Sequence, residues 1–420
     1  MLKEHIDRKN TFWNMIAALI NALESVVIIA VTARVHSVET AGIFTIGFSL
    51  ANLFLMIGKF GVRNFQIANE GFSVDRPVFY SQRRITTALM VLTGCVYLLG
   101  KHLFGGYDIE KAAIILGVIL WYAVESLEDC YMGSFQMEGK LHLGCKVFIA
   151  RWLSLFAGFV LTDLLTTNAV LAVYISLAAS ILTEGILLSV FAKRLGTREK
   201  PRSNGQLRLL FRKTLPLFLA AFLYFFMTNL SKYAIDQYLS DTDQAIYGYI
   251  AMPVFVIALL NNMIYVPQLN YYVEAFRNNN RAELIRRIRR QLGLIVCIFA
   301  GCLIGAYFLG IPVLNMLYNA RLEEQKTRMM LLLTGSFFLA VAGYLSALLV
   351  IFDQRVLNLI LYGITVAVGL VATFLLTASH AINGAVAGYL VTMVLAAGGF
   401  LLATFRVLSK MNRKDLSAAQ

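Results

Sequence analysis

Ionisable residues stand inside long apolar runs of this sequence: Glu24, Glu125, Glu128, Asp129, Arg151 and Glu184 in its first half, Lys232 in its second. A charge in hydrocarbon is costly, so such residues mark an ion path, a binding site or a structural ion pair. At ~1.5 Å per helical residue, Glu24 lies ~18 Å and Glu125 ~20 Å into their runs, near the middle of a bilayer. Burial disfavours the charged form of a carboxyl group, which can then carry protons or bind sodium. Glu24 and Glu125 are the candidates for such ion coupling, and Glu24 has no basic residue at its depth. Arg151, ~8 Å into its own run, is placed to pair with Asp129 or Glu184. Asp129, Arg151 and Glu184 are therefore read as structural ion pairs, with Asp129–Arg151 the expected partnership.

Polar stripes accompany these charges. Asn14, Asn21, Glu24, Ser25 and Thr32 share one helical face, as do Phe225, Asn229, Lys232 and Asp236, and further on Asn261, Tyr265, Gln268 and Tyr272. Faces of this kind line a cavity or a helix interface, and three of them from both halves predict a water-filled cleft between two lobes. Lys232 has three readings: it snorkels outward, it pairs with Asp236, or it meets an anion in the cleft. Pro216, Pro253 and Pro267 remove backbone hydrogen bonds and permit bends. The five histidines fall near helix ends. The five cysteines lie in or beside apolar runs without paired spacing, as buried small residues do. No phosphate-cradling glycine loop, His-Glu-x-x-His pair or nucleophile elbow is present, so an enzyme is not expected, and no cofactor or metal beyond a coupling H+ or Na+.

The elements that hold these residues are membrane helices. The composition is 59% hydrophobic and 15% charged, with a mean hydropathy of +0.69, against about 25% charged in soluble domains. Twelve apolar spans are predicted: 12–33, 41–60, 84–104, 111–132, 144–165, 169–192, 214–237, 246–269, 291–312, 329–352, 356–377 and 382–405. With the N-terminus inside, the inner segments hold 30 of the 37 Lys and Arg, so both termini should be cytoplasmic. Arg198, Arg281 and Arg413 then face the cytoplasm and Asp108, Asp241 and Glu323 the outside. The net charge of +13 is accounted for by these loops, and nucleic acid is not an expected partner.

The basic segment 196–213 divides the chain into an N-lobe at 1–195 and a C-lobe at 214–420. Glu39-Thr40-Ala41 opening span two is echoed by Asp243-Gln244-Ala245 opening span eight, and span starts and basic loops repeat at about the same offset. The expected fold is an all-α membrane protein, two six-helix lobes related by an axis normal to the membrane. Outer loops are short, which counts against a polymerase or glycosyltransferase.

The segment 32–61 (TARVHSVETAGIFTIGFSLANLFLMIGKFG) resembles the opening signature of polysaccharide repeat-unit flippases, grouped with multidrug exporters and lipid II flippases in one superfamily. FGVRNFQIAN (60–69) with Tyr80 and RRITT (83–87), EDCYMGSFQMEGKL (128–141) and 232–269 resemble motifs of flippase-like proteins from Gram-positive bacteria. Ala68-Asn69 stand where Ser-Asp is expected, and Lys140 where Arg is. The resemblance implies a transporter that turns an anionic lipid-linked oligosaccharide from the inner to the outer leaflet by alternating access, for cell-surface polysaccharide or teichoic-acid-like polymer export. It implies a plasma-membrane location, contacts with membrane lipids and with other polysaccharide-assembly proteins, and cationic groups for the pyrophosphate. Arg63 and Gln66 match the motif and stand where a head group would first be met. Lys232, Asn229, Arg34, Asn261, Tyr265 and Gln268 complete the expected cargo site, although Arg34 has Glu39 as an alternative partner. The rival is a cation-coupled exporter of small drugs, which would not want a central lysine. Lys232 discriminates the two.

Overall fold

The computed structural model describes residues 2–67, 74–195, 205–265 and 268–418. Within them the regular structure is helical throughout. Among the described residues, nine helices are long and apolar enough to cross a membrane. The chain divides into two compact units, Met1–Phe225 and Phe226–Gln420.

The first unit contains α1 (Leu2–Val35), α2 (Val38–Lys59), the short α3 (Val62–Ile67), α4 (Arg76–Leu103), α5 (Ile109–Met137), α6 (Leu141–Thr166), α7 (Ala169–Phe191) and the first part of α8 (Gln206–Tyr238). Its central helix is α2, in which every residue from Ala41 to Gly58 except Ile43 and Asn52 is buried. Water does not drive helices together in lipid, so close van der Waals packing and interhelical hydrogen bonds must. Phe44 meets Trp121 of α5 and Phe159 of α6 at ring distances of 6.4 and 5.5 Å. The Trp121 indole donates to the Val173 carbonyl of α7 at 3.1 Å. Ser37 caps the start of α2, and the helix ends where Phe60 and Gly61 turn left-handed at φ 44° and 67°. Glycine adopts that conformation without a Cβ penalty, so the Phe-Gly pair reads as a stop. The short α3 that follows packs against α5 and α4. The Phe60 ring then stacks on Phe218 of α8 at 4.4 Å.

Residues 206–213, expected to be linker, form the first turns of α8. Leu210 is fully buried against Phe60, Val62 and Phe65, with Leu207 and Phe211 beside it. An apolar face within a basic stretch is what makes this segment helical. The rest of the expected linker, 196–204 with Arg198, lies outside the described residues, as do Ala68, Asn69 and Pro267 and the side chain of Arg413.

The second unit continues α8 and adds α9 (Asp241–Ala251), α10 (Val254–Tyr265), α11 (Leu269–Arg277), α12 (Arg281–Gly305), α13 (Ile311–Tyr318), α14 (Lys326–Ile351) and α15 (Arg355–Ala418). Span eight, expected over 246–269 with bends permitted at Pro253 and Pro267, is two helices. A Ser240–Asp243 capping box starts α9, and the helix breaks at Met252 and Pro253, where proline cannot donate its backbone bond. By contrast Pro216 sits inside the continuous α8. One π-helical turn at Ala306–Gly310 precedes Pro312 and accommodates its ring. The last helix is two segments joined at His380 and Ala381, whose backbone is not helical. Buried α14 is the centre of this unit.

Candidate functional site

Three carboxylates on α5 organise the first unit. Glu125, Glu128 and Asp129 stand at i, i+3 and i+4 and so project to neighbouring positions around the helix. Lys59, in the last turn of α2, places its Nζ 2.8 Å from Glu125 Oε1. On the same flank, Arg83 of α4 donates from Nη2 to Asp129 Oδ2 at 2.8 Å and from Nη1 to the Gly58 carbonyl at 3.0 Å. It thereby ties off the end of α2 as well. Arg63 of α3 reaches Asp129 Oδ1 at 3.3 Å and Gln136 at 2.9 Å.

The opposite flank belongs to Arg151. Its Nε lies 2.7 Å from Glu128 Oε2 and 4.0 Å from Glu184 Oε2 of α7, and its Nη2 3.8 Å from Glu125 Oε2. Arg151 is 0% and Glu128 2% exposed. The expected Asp129–Arg151 pair is not formed: Asp129 faces α3 and α4, and its predecessor Glu128 faces α6. The Arg151–Glu184 pairing is present, at the edge of ion-pair distance.

Glu24 of α1 is 2% exposed. It lies in the electrostatic field of Glu125, Arg151, Lys59 and Glu128, and no ion pair holds it among the described residues. Each of α1 to α7 thus supplies at least one charge to a single network. Five carboxylates (Glu24, Glu125, Glu128, Asp129, Glu184) face four cations (Lys59, Arg63, Arg83, Arg151). A cavity of about 170 Å³ opens beside it, lined by Asn14, Asn21, Lys59, Arg63, Glu125 and Asp129 among others. Glu125 Oε2, Glu128 Oε1, Glu184 Oε2 and both Arg151 Nη atoms make no hydrogen bond. Buried charges so incompletely satisfied can be re-paired by a small movement or by one added proton or cation.

Gln66 is fully buried. Its Nε2 donates to Ser134 Oγ at 3.0 Å, and Tyr80 shares that hydroxyl at 2.8 Å. A Cβ on Gly133 would stand 2.3 Å from Gln66 Oε1, so only glycine leaves room for it. Gln66 therefore fixes α3 to α5, while Arg63 alone of the two reaches the cavity. Arg34 is exposed in the last turn of α1, ~15 Å along the helix from Glu24.

The second unit holds the other expected residues in a different setting. Lys232 is half-buried on α8 and has no ion pair among the described residues. Asn229, one turn before it, donates to Thr228 at 3.3 Å. Asn261 is buried, donates to the Ala340 carbonyl at 3.2 Å and accepts from Gln291 at 2.9 Å. Tyr265 is buried edge-on to Tyr344 at 5.5 Å, and the Tyr344 hydroxyl donates to Tyr272 at 2.9 Å. Gln268 bonds back to the Ile264 carbonyl at 3.0 Å. The stripe on α10 and α11 is thus an internal interface of this unit.

Lys59 and Arg83 are network members that the sequence reading does not name, and the separate His36–Asp163 pair (2.5 Å) is likewise not among its candidates. Lys59 and Arg83 were absorbed into the count of inner-loop cations. The doubled Arg83-Arg84 was a usable signal: at 100° apart only one can face inward, and Arg83 does, with 1% exposure. Replacing Arg83 with leucine would leave Asp129 only its longer contact to the part-exposed Arg63 and would take one donor from the Gly58 carbonyl, and is expected to lower stability by ~3 kcal/mol. Detergent-solubilised melting should show that loss for Arg83→Leu and none for the exposed Arg84→Leu.

The family model described as polysaccharide biosynthesis protein matches residues 8–267. The chain belongs to that family. Its signature segments converge in space: Arg63, Gln66, Tyr80 and Arg83 from 60–87 reach Asp129, Ser134 and Gln136 from 128–141.

Among solved structures, an inward-facing multidrug resistance MATE family transporter of the MOP superfamily matches with a TM-score of 0.70 at 16% identity, covering 94% of this chain and 96% of that one. The lipid II flippase MurJ, in an inward closed conformation, matches with 0.66 at 12% identity, covering 96% and 90%. A MOP superfamily transporter from Pyrococcus furiosus, described as having a binding pocket of reverse polarity, matches with 0.58 at 15% identity, covering 98% and 96%. The fold is that of MOP superfamily transporters. No curated protein matches the chain.

Proposed function

We propose that this member of the polysaccharide biosynthesis protein family is a flippase, translocating an anionic lipid-linked oligosaccharide, a polyprenyl pyrophosphate repeat unit, from the inner to the outer leaflet of the plasma membrane. Family membership supports the pathway, and a fold shared with flippases and exporters supports transport by alternating access. Cell-surface polysaccharide or teichoic-acid-like polymer would be the product exported. Membrane lipids and other assembly proteins would be its partners.

Twelve spans in two six-helix lobes fit this reading. Beyond the nine spanning helices, α5 is long enough but carries Glu125, Glu128 and Asp129, α9 and α10 form a broken span, and α15 is two segments. The lobes would correspond to 1–195 and 214–420, with both termini cytoplasmic. With the native cysteines removed, Glu110→Cys and Glu324→Cys should react with an impermeant thiol reagent on intact cells, and Ala282→Cys only after permeabilisation. Labelling of position 282 on intact cells would reverse the orientation.

The observation that supports an anionic cargo is Lys232, a cation on a spanning helix with no ion pair among the described residues. Arg63, part-exposed beside the cavity of the first unit, would be the first cation that the head group meets, and Asn229 and Arg34 would be further contacts. A phosphate needs a positive charge and not a fixed fork, so Lys232→Arg should keep most of the transport. Lys232→Ala should reduce it about tenfold or more, the loss of one charge-assisted contact of ~1.5–3 kcal/mol. The measurement is flipping of a fluorescent polyprenyl pyrophosphate oligosaccharide in reconstituted vesicles. Normal flipping by a folded Lys232→Ala protein would remove the residue from the site. The acid-rich first unit favours a second reading, a cation-coupled exporter of small molecules. In that case a lipophilic cation, and not the anionic lipid, would be moved, and Lys232→Ala would speed it.

A further inference from the structure

The flank of the first unit carries a feature that neither transport nor the charged network uses. Between α5 and α7 runs an open groove of about 540 Å³, lined by Tyr131, Gly185, Leu188, Ser189, Ala192 and Lys193. The same two helices carry exposed apolar side chains within one turn of the lining residues: Leu127 at 37%, Ile186 at 62% and Val190 at 51%. Gly185 keeps the floor open, since a Cβ there would meet nothing within 4 Å. Where α7 ends, the groove ends in Lys193, which is exposed and has no ion pair among the described residues.

Tyr131 also forms the other wall. Its ring lies 4.7 Å from that of Tyr80, and beyond Tyr80 is a second, smaller pocket of about 120 Å³ with Arg76, Ser81 and Arg84. Arg76 is committed to Glu138 at 2.6 Å. Arg84 is exposed and has no ion pair among the described residues. Neither pocket has a carboxylate in its lining. The two tyrosines therefore stand between two exposed cations, Lys193 in the groove on one side and Arg84 in the smaller pocket on the other.

We propose that this flank is a binding site for one anionic phospholipid, with an acyl chain in the α5–α7 groove, the phosphate at Lys193, and Arg84 across the two tyrosines adding to the positive field there. An apolar channel open to the sides of spanning helices suits an acyl chain, and a cation at its polar end suits a phosphate of net negative charge. A zwitterionic head would bring an ammonium into a site that offers it no acid. The proposal rests on the membrane location of this unit and is independent of the cargo.

The test is native mass spectrometry on delipidated protein in neutral detergent, titrated with phosphatidylglycerol or with phosphatidylcholine of the same chains. The parent should hold phosphatidylglycerol at least tenfold more tightly. Lys193→Gln with Arg84→Gln should abolish that preference. Gly185→Leu, which fills the groove from an exposed helical face, should weaken both lipids, with an unchanged elution volume and melting midpoint as the check on folding. Equal binding of the two lipids by the parent, or parent-like binding by either variant, would overturn the site. So would displacement of phosphatidylglycerol by an equal concentration of polyprenyl phosphate, which would assign the groove to the cargo.

Discussion

Replacing Arg151 with leucine is expected to remove most of the folded protein. Among the described residues the guanidinium is the one cation that reaches Glu128 and Glu184, and it shares Glu125 with Lys59. Without it, Glu128 and Glu184 are left as buried charges at 2% and 7% exposure with no cation in reach. Breaking one partner from a buried pair costs ~3–5 kcal/mol, a large share of a typical folding free energy. Removing both partners is much cheaper, because no charge is then stranded. Arg151→Leu combined with Glu128→Gln should therefore recover much of the yield and melting temperature. Arg151→Leu combined with Asp129→Asn should not, since Asp129 belongs to Arg83 and Arg63. The double-mutant cycle separates the two arrangements. Coupling between positions 129 and 151, and none between 128 and 151, would show that the network is wired otherwise.

The helices and the charged residues were legible in the sequence, and the wiring between them was not. Apolar runs give spans directly, because lipid forces every backbone group into an internal hydrogen bond. The Phe-Gly stop at 60–61 is equally local. Pairing is not local. Glu128 and Asp129 are adjacent in sequence but 100° apart around α5, so a neighbour's choice between them depends on which side α6 packs. Lys59 and Arg83 sit at span ends, where the excess of inner cations is a sufficient reason for any basic residue, and that reason hid their structural role. Asn261 and Tyr265 show the converse. A polar stripe at helical spacing predicts only that its face avoids lipid, and here the face meets Gln291 and Tyr344 in place of solvent. The helical start of α8 at Gln206 was masked by five basic residues between 200 and 213. Its apolar side is just Leu207, Leu210 and Phe211.

Glu24→Gln should uncouple transport from an imposed ion gradient while leaving the protein folded. Among the five carboxylates of the network, Glu125, Glu128, Asp129 and Glu184 each have a cation within 4.0 Å, and Glu24 has none among the described residues. With four cations for five acids, the network reaches neutrality when one further positive charge arrives, and the acid without a partner is the natural place for it. Asn14 and Asn21, on the same face of α1, line the cavity that would lead a proton or sodium ion inward. Arg151 and Lys59 lie in the field of that carboxyl, so neutralising Glu24 frees them to shift toward the unsatisfied oxygens of Glu125, Glu128 and Glu184. Glutamine keeps the shape and fixes the neutral state, which should cost the fold little. In vesicles carrying a proton or sodium gradient, the parent's flipping should respond to the gradient and that of Glu24→Gln should not, with equal basal rates. Glu125→Gln is the contrast: it breaks an ion pair with Lys59 and should instead lower the amount of folded protein. A Glu24→Gln protein that follows the gradient as the parent does would make Glu24 a structural member of the network and leave coupling to another residue.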